Sequence, residues 1–502
     1  MLKIRVVKTA SNAQAVQVIS YYHNDRQVIK HFGSCHNKEE LGKMLFLAIE
    51  WIKDYTGQTS LFPEDNPNMT LHLEESVFLG VHYNFFYNLI QTIQKEIGLE
   101  TLTHSLLGDL VKIRIFEPAS KLRSIDLLEN YFGIKHNRKK FYRIAPDWLN
   151  LKEEVENIVI KFAKKRYDFC FDIVFYDVTT LYFETFEEDE LRKNGFSKDN
   201  KSQQPQIVIG LLVTQAGFPL AYEVFAGNTF EGKTMLPVVE GFISKHPNTK
   251  PIIVADAAML DDDRLAELRD KGLSYIVGAR LANTDLGMVK QINSSLNAVN
   301  GAITRLHSRH GELICDFSSA RYKKELNELN KLVQKAEVLV AKQSSGAKAK
   351  FIKRVSKERI ELNTALIEKR KLLLGIKGYC TNLTESQLSS KEAIERYHHL
   401  WRVEQSFRMS KYDLEARPVY HQKEEAIRTH VMICFLALII EKYLELTTQM
   451  SLRNIRLLVW NITESHIRDN VTGETFKFTS PATELMKSNL APLIKKWNLL
   501  PH

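Results

Sequence analysis

Three acidic residues stand where carboxylates could meet: Asp177 in FDIVFYDVTTLYFET, Asp256 in PIIVADAAML and Glu404 in ERYHHLWRVEQSFRMSK. Asp177 and Asp256 each follow a short run of β-branched and aromatic residues, which places each carboxylate at or near a strand end. Glu404 lies on a long helical pattern, flanked at seven-residue intervals by Tyr397 and Lys411. Seven residues are nearly two helical turns, so these three share one face. Two strand carboxylates converging with one helix carboxylate form a hard, oxygen-rich site for Mg2+ or Mn2+. The neighbouring tyrosine and lysine suit a phosphate. Together they point to phosphodiester chemistry.

The elements that must position these groups are readable in outline. Asp172 to Thr179 is one strand, and IVIGLLVTQ and FPLAYEVFA pair as a hairpin across Ala216-Gly217. A helix around Met235 to His246 leads to PIIVADA, a helix through Leu265 and Leu268, and SYIVGA. This α/β order over residues 169–281 is compatible with the first half of a ribonuclease-H-like core and with other mixed sheets.

From 282 to 388 the pattern changes. A hairpin around Ala302 to Tyr322 precedes two lysine-rich helical stretches, RYKKELNELNKLVQKAEVLVAKQ and FIKRVSKERIELNTALIEKRKLLL. Ser344-Ser345-Gly346 divides them, which suggests an antiparallel helical arm inside an insertion. GIKGYCTNL returns to strand character. The core resumes over 389–480 with a helix from Lys391 to Tyr412, an apolar helix from Glu424 to Leu446, and a hairpin turning near Thr472-Gly473; a helix closes 481–502.

Upstream, 1–57 reads as a hairpin, turning around Asn24-Asp25, plus the helix Lys38 to Tyr55; Gln58 to Asn68 is a linker. Residues 70–168 are mainly helical: THSLLGDLVKIRIF, PASKLRSIDLLENYF and DWLNLKEEVENIVIKFAKKRY, with Pro118 and Pro146 at the starts of two helices. Their basic residues could contact DNA or simply face solvent.

Composition sets limits. The 502 residues are 44% hydrophobic and 26% charged, as in a globular protein large enough for several domains, and the net charge of +9 permits a polyanionic partner without demanding one. Five scattered cysteines without a CxxC pair suggest reduced thiols in a cytoplasmic protein. The most apolar run, Val431 to Ile440, is too short to cross a bilayer, so no membrane partner is expected.

The run from Tyr397 to Lys411 resembles the Tyr-x2-Arg-x3-Glu-x6-Lys signature of DDE transposases of bacterial insertion sequences, with Leu400 in the place of the arginine. Arg402 and Arg408 are the candidates to supply the missing cation. YDVTTLYFE resembles the family's first-aspartate strand, and IIVADAAMLDDDRLAEL with SYIVGARL its second-aspartate segment; RPVYH and RIFEPASKL extend the likeness. The resemblance implies a ribonuclease-H-like fold interrupted by an insertion, behind a mainly helical N-terminal DNA-binding region. It implies two Mg2+ or Mn2+ ions held by Asp177, Asp256 and Glu404, with Asp177 bridging, while Tyr397, Lys411 and Arg408 hold DNA phosphate. The implied partners are transposon ends and target DNA, with a homodimer on the DNA. The insertion would supply an aromatic to stack on a flipped base. No tryptophan lies between Ala282 and Ser390, which leaves Phe317, Tyr322 and Phe351.

Two other readings stay open. Gly227 to Thr234, GNTFEGKT, matches the P-loop pattern after a strand-like run and before a helix, as in an ATPase. A DNA-binding protein with decayed catalysis would also keep much of this pattern.

Overall fold

The computed structural model describes residues 2–22, 25–56, 71, 73–102, 105–196, 203–246, 249–257, 262–309, 311–342, 349–355, 359–417 and 419–497. The expected linker from Gln58 to Asn68, the turn at Asn24 and the Ser344-Ser345-Gly346 break lie outside the described residues or against their edge. The chain divides into two units, residues 1–81 with 464–478, and residues 82–463 with 479–502.

The larger unit is built on an eight-stranded mixed sheet. Its strands are β1 (Ile173–Tyr182), β2 (Gln206–Val213), β3 (Pro219–Ala226), β4 (Ile252–Ala255), β5 (Ser274–Ala279), β6 (Ile303–Ser308), β7 (Gly311–Phe317) and β8 (Ile376–Thr381). The spatial order is β6-β7-β8-β5-β4-β1-β2-β3. β1, β2 and β3 form an antiparallel meander, β4 and β5 run parallel to β1, and β8 returns antiparallel to β5. β1 and β2 are buried along nearly their whole length, as expected for central strands covered on both faces. Their Val, Ile, Leu, Phe and Tyr content follows from that position.

The helix Glu424–Thr448 is buried on every side from Thr429 to Leu444. A helix apolar all round belongs in a core, and this one packs on Ser105–Phe116, on the 3-10 segment Ala145–Leu151 and on β3. Among the described residues no helix is long and apolar enough to cross a membrane. All five cysteines are free, and only Cys170 is exposed.

Three expectations need correction. Ser105–Phe116 is buried throughout from Leu106, so Lys112 and Arg114 turn inward and this helix cannot lie in a DNA groove. The segment 282–388, expected as an insertion carrying a helical arm, also adds strands to the core: β6, β7 and β8 extend its sheet. Within it the helix Ser319–Ala341 forms as expected, but its partner shrinks to Thr364–Leu372. The short ladder Ile352–Arg354 with Ile360–Leu362 takes the intervening chain, because Ile352, Ile360 and Leu362 alternate with charged residues at the period of a strand. Phe351, Leu329, Ala336, Ile367 and Leu374 make a small separate core there.

The smaller unit holds the antiparallel sheet Leu2–Lys8, Gln14–Tyr22 and Asp25–Cys35, covered by the helix Lys38–Thr56. Val16, Val18 and Ala48 form its core. The late hairpin Glu464–Asp469 and Thr475–Thr479, turning through Gly473 at φ 76°, joins Ser76–His82 in a second three-stranded sheet rather than closing the large one.

Candidate active site

β1 and β4 are adjacent parallel strands whose register pairs Tyr176 with Ala255. Asp177 and Asp256 are the next residues on each. Neighbouring strands lie about 4.8 Å apart, so the sheet sets these two carboxylates side by side. Asp177 is half-buried within β1, and its Oδ1 accepts the Val178 N–H at 2.7 Å. Asp256 is exposed just past the end of β4, and its Oδ1 accepts the Ala257 N–H at 2.7 Å. The expectation of two strand-end aspartates holds for Asp256; Asp177 sits mid-strand, because β1 runs on to Tyr182.

Glu404 comes from a helix that is not uniform. Ser390–His398 and Trp401–Arg408 are separate α segments, joined through i→i+3 bonds from Leu400 N–H to Tyr397 O and from Val403 N–H to Leu400 O. A π turn follows at Met409–Asp413. Such turns recur at functional sites. The single helix expected from Lys391 to Tyr412 is thus overwound in one place and widened in another.

Tyr397 ties the pieces together. Only 6% exposed, it donates its phenol proton to Asp256 Oδ1 at 3.1 Å. Burial raises its pKa first, followed by the negative charges of Asp256, Glu404 and Asp177. One phenol therefore senses all three carboxylates. Room for it comes from Gly278 on β5, where a Cβ would stand 2.6 Å from the phenol oxygen.

Lys377 on β8 was not anticipated. Its Nζ lies 4.8 Å from the Tyr397 ring centroid and 5.6 Å from that of Tyr379, and the two tyrosine rings meet edge-on at 5.0 Å. Burial lowers the Lys377 pKa, the Arg321 charge lowers it further, and Asp316, Asp256 and Glu404 oppose both. Tyr379 donates to Asp316 Oδ1 at 3.0 Å, and Arg321 donates to Oδ2 at 3.2 Å, so that carboxylate is already engaged. The signal in GIKGYC was a lone charge in an otherwise apolar strand, a costly placement unless it serves a nearby anion.

The other expected residues disperse. Leu400, in the arginine position of the signature, is 6% exposed and belongs to the main core. The Arg402 Cβ lies 3.2 Å from where a Cβ on Gly217 would stand, at the β2–β3 turn, and its guanidinium lies over Trp401. Arg408 is exposed and pairs with no carboxylate among the described residues. Lys411, on the π turn, lines a cavity with Thr179 and Leu181, two and four residues beyond Asp177 on β1. Phe317 and Phe351 are buried, so neither offers a free face to a base, and half-buried Tyr322 packs on Phe317.

The donor set fits a hard cation. Asp256 Oδ1 is occupied by two donors, but its Oδ2 and both oxygens of Glu404 accept no hydrogen bond among the described residues. All three side chains are carboxylates, the ligands Mg2+ and Mn2+ prefer. Among the described residues no three His, Cys, Asp or Glu side chains already stand close enough together to hold an ion.

GNTFEGKT is not a phosphate cradle. It follows β3, an antiparallel edge strand. The amides of Gly227, Thr229, Lys233 and Thr234 donate to the carbonyls of Leu191, Ala226, Phe230 and Glu231. Gly227 is needed for close backbone approach: a Cβ there would stand 1.9 Å from Gln206 O.

A family model described as "Transposase DDE domain" matches residues 168–440. No curated protein matches. A solved structure of the piggyBac transposase synaptic complex with hairpin DNA is 12% identical, with 84% of this chain and 76% of that chain covered, at a TM-score of 0.33. Likeness at that level carries no argument.

Proposed function

The chain belongs to the transposase DDE-domain family, and from that premise we propose that it binds the ends of its mobile element, cleaves DNA there and joins the freed end to a target. Asp177, Asp256 and Glu404 are the acidic triad of this reading. The observation that carries it is the side-by-side setting of Asp177 and Asp256 on adjacent parallel strands, with Tyr397, seven residues before Glu404, donating to Asp256. The β1-β2-β3 meander beside parallel β4 and β5 supports a ribonuclease-H-like core.

Asp177, Asp256 and Glu404 would hold Mg2+ or Mn2+; bound there, the metal supplies activation of the attacking oxygen and stabilisation of the leaving one. Tyr397 holds the proton it shares with Asp256 and so orients that carboxylate. Lys377, in place of the signature's arginine, presents a cation that meets phosphate charge. Asp256 and Glu404 are solvent-exposed, so a duplex can reach them without a lid opening. Lys411 and Arg408 remain phosphate contacts further along the same helical segment. Two copies acting on paired ends would make the working form a dimer, which sedimentation of the DNA complex checks.

The test offers purified protein its element's own ends with Mg2+ or Mn2+. Wild type is expected to cut. Asp177→Asn, Asp256→Asn and Glu404→Gln should each bind the duplex and lose cleavage by on the order of a hundredfold or more. Full cleavage by any one variant removes that residue from the triad. Wild type that binds ends yet cuts nothing in Mn2+ would mark decayed catalysis.

A further inference from the structure

Residues of two motifs that the triad leaves unused, RIFEPASKL and RPVYH, come together by the end of β1. Arg114 and Lys121 from the first, with Arg417 and His421 from the second and His430 from the helix Glu424–Thr448, line a cavity of ≈ 140 Å³. Arg114 is 3% exposed and Lys121 4%. The Arg114 guanidinium donates only to neutral carbonyls, of Leu414, Glu415 and Ala119. The Lys121 ammonium has a single hydrogen-bond partner among the described residues, His430 Nδ1 at 2.9 Å. His430 Nε2 faces the Ala416 carbonyl at 3.0 Å, which can only accept, so Nε2 carries the proton and Nδ1 receives from Lys121. Glu415 is the one carboxylate lining the cavity; it is exposed and forms no ion pair with Arg114 or Lys121.

Buried charges are normally paired, and an uncompensated one costs stability. Here the two buried cations Arg114 and Lys121 and the two histidines have no inward carboxylate among the described residues. Burial, then the Arg114 charge, pushes the Lys121 pKa down; burial, then Lys121 and Arg114, takes His421 to about 4.

We propose that this cavity holds a backbone phosphate of the DNA on which the triad acts, clamped by Arg114, Lys121 and Arg417. The inference rests on the reading of the chain as a DNA-cutting enzyme. Its place favours DNA over free phosphate: Val419 bridges to Phe183, immediately after β1, and the Arg417 guanidinium lies over Tyr182, the last residue of β1. From Asp177 to Tyr182 the strand climbs roughly 17 Å, on the order of five base-pair rises of one duplex.

The experiment measures duplex binding against salt for wild type, Lys121→Met, Arg417→Gln and, as control, Lys335→Gln on the exposed side of the helix Ser319–Ala341. Melting of the DNA-free proteins with and without inorganic phosphate runs alongside. Lys121→Met and Arg417→Gln should each lower the slope of log K against log [salt] by about one, alike for any sequence. The control should not. Lys121→Met should melt higher than wild type without ligand, and phosphate should stabilise wild type but not the variant. Lys121→Met that melts lower with an unchanged salt slope would make Lys121 a structural donor to His430 and overturn the proposal. Wild type that ignores DNA but gains phosphate stabilisation through Lys121 refutes the DNA-cutting reading and reassigns the cavity to a free anion. With neither response, the anion site falls.

Discussion

Gly278 and Tyr397 face each other across the site: a Cβ on residue 278 would stand 2.6 Å from the phenol oxygen, which donates to Asp256 at 3.1 Å. Gly278 also follows Val277, the β5 residue paired with Ala255, so it lies beside Asp256 itself. Gly278→Ala should displace the phenol from Asp256 Oδ1, leaving the Ala257 N–H as its donor, without unfolding β5. Cleavage should drop at least as far as in Tyr397→Phe, with DNA affinity unchanged. An active Gly278→Ala enzyme would mean that the phenol does not position Asp256.

Lys377 offers a charge-specific test. Lys377→Gln should slow cleavage by on the order of a hundredfold, while Lys377→Arg retains much of it. Because burial and Arg321 lower the Lys377 pKa, the ammonium is lost at a lower pH than in an ordinary lysine. Activity that needs the charged form therefore fails on the alkaline side earlier than a free lysine would dictate. That limb should move upward in Lys377→Arg. A pH–rate profile of single-turnover cleavage decides it.

Restoring the signature arginine should do harm. Leu400 is 6% exposed and part of the main core, so Leu400→Arg loses apolar burial and leaves a cation there without a partner. We expect a cost of about 2 kcal/mol or more, read by urea unfolding, with no gain in cleavage. Improved cleavage at unchanged stability would show that Lys377 does not fill the role.

Glu441, 1% exposed on the helix Glu424–Thr448, is held protonated well above the usual carboxylate range by burial and then by Asp413, with Arg456 opposing. The folded chain thus binds a proton that the unfolded chain releases near about pH 4.3. That contribution is complete below the unfolded value and is lost as pH rises through the folded one. Glu441→Gln should flatten the fall of Tm with rising pH and melt higher than wild type at the alkaline end. Parallel Tm curves for the two proteins would contradict this.

The proposed triad was legible because its neighbours are. VFYD and IVAD carry β-branched and aromatic runs that can only be strands in a core, and Glu404 stands seven residues from Tyr397 and Lys411. What the residues could not tell was which cation reaches the site. Lys377 meets Tyr397 only because β8 pairs with β5, a contact spanning about a hundred residues that no local pattern encodes. FIKRVSKERIEL failed for a different reason: its charges suit a helix and its Ile and Leu spacing suits a strand, and tertiary pairing settled the matter. The buried helix Ser105–Phe116 misled because Lys112 and Arg114 read as surface, whereas Asp109 and three backbone carbonyls receive them inside.

The uneven helix from Tyr397 to Lys411 has a mechanical consequence. Its 3-10 step advances side-chain direction by ~20° per residue beyond an α-helix, and the π turn at Met409–Asp413 gives some of that back by fitting one residue more into a turn. Removing one residue from that turn would swing Lys411 away from Thr179 while leaving Glu404 and Tyr397 untouched. The segment behaves as two independently indexed gears, one aiming the carboxylate and the other the lysine.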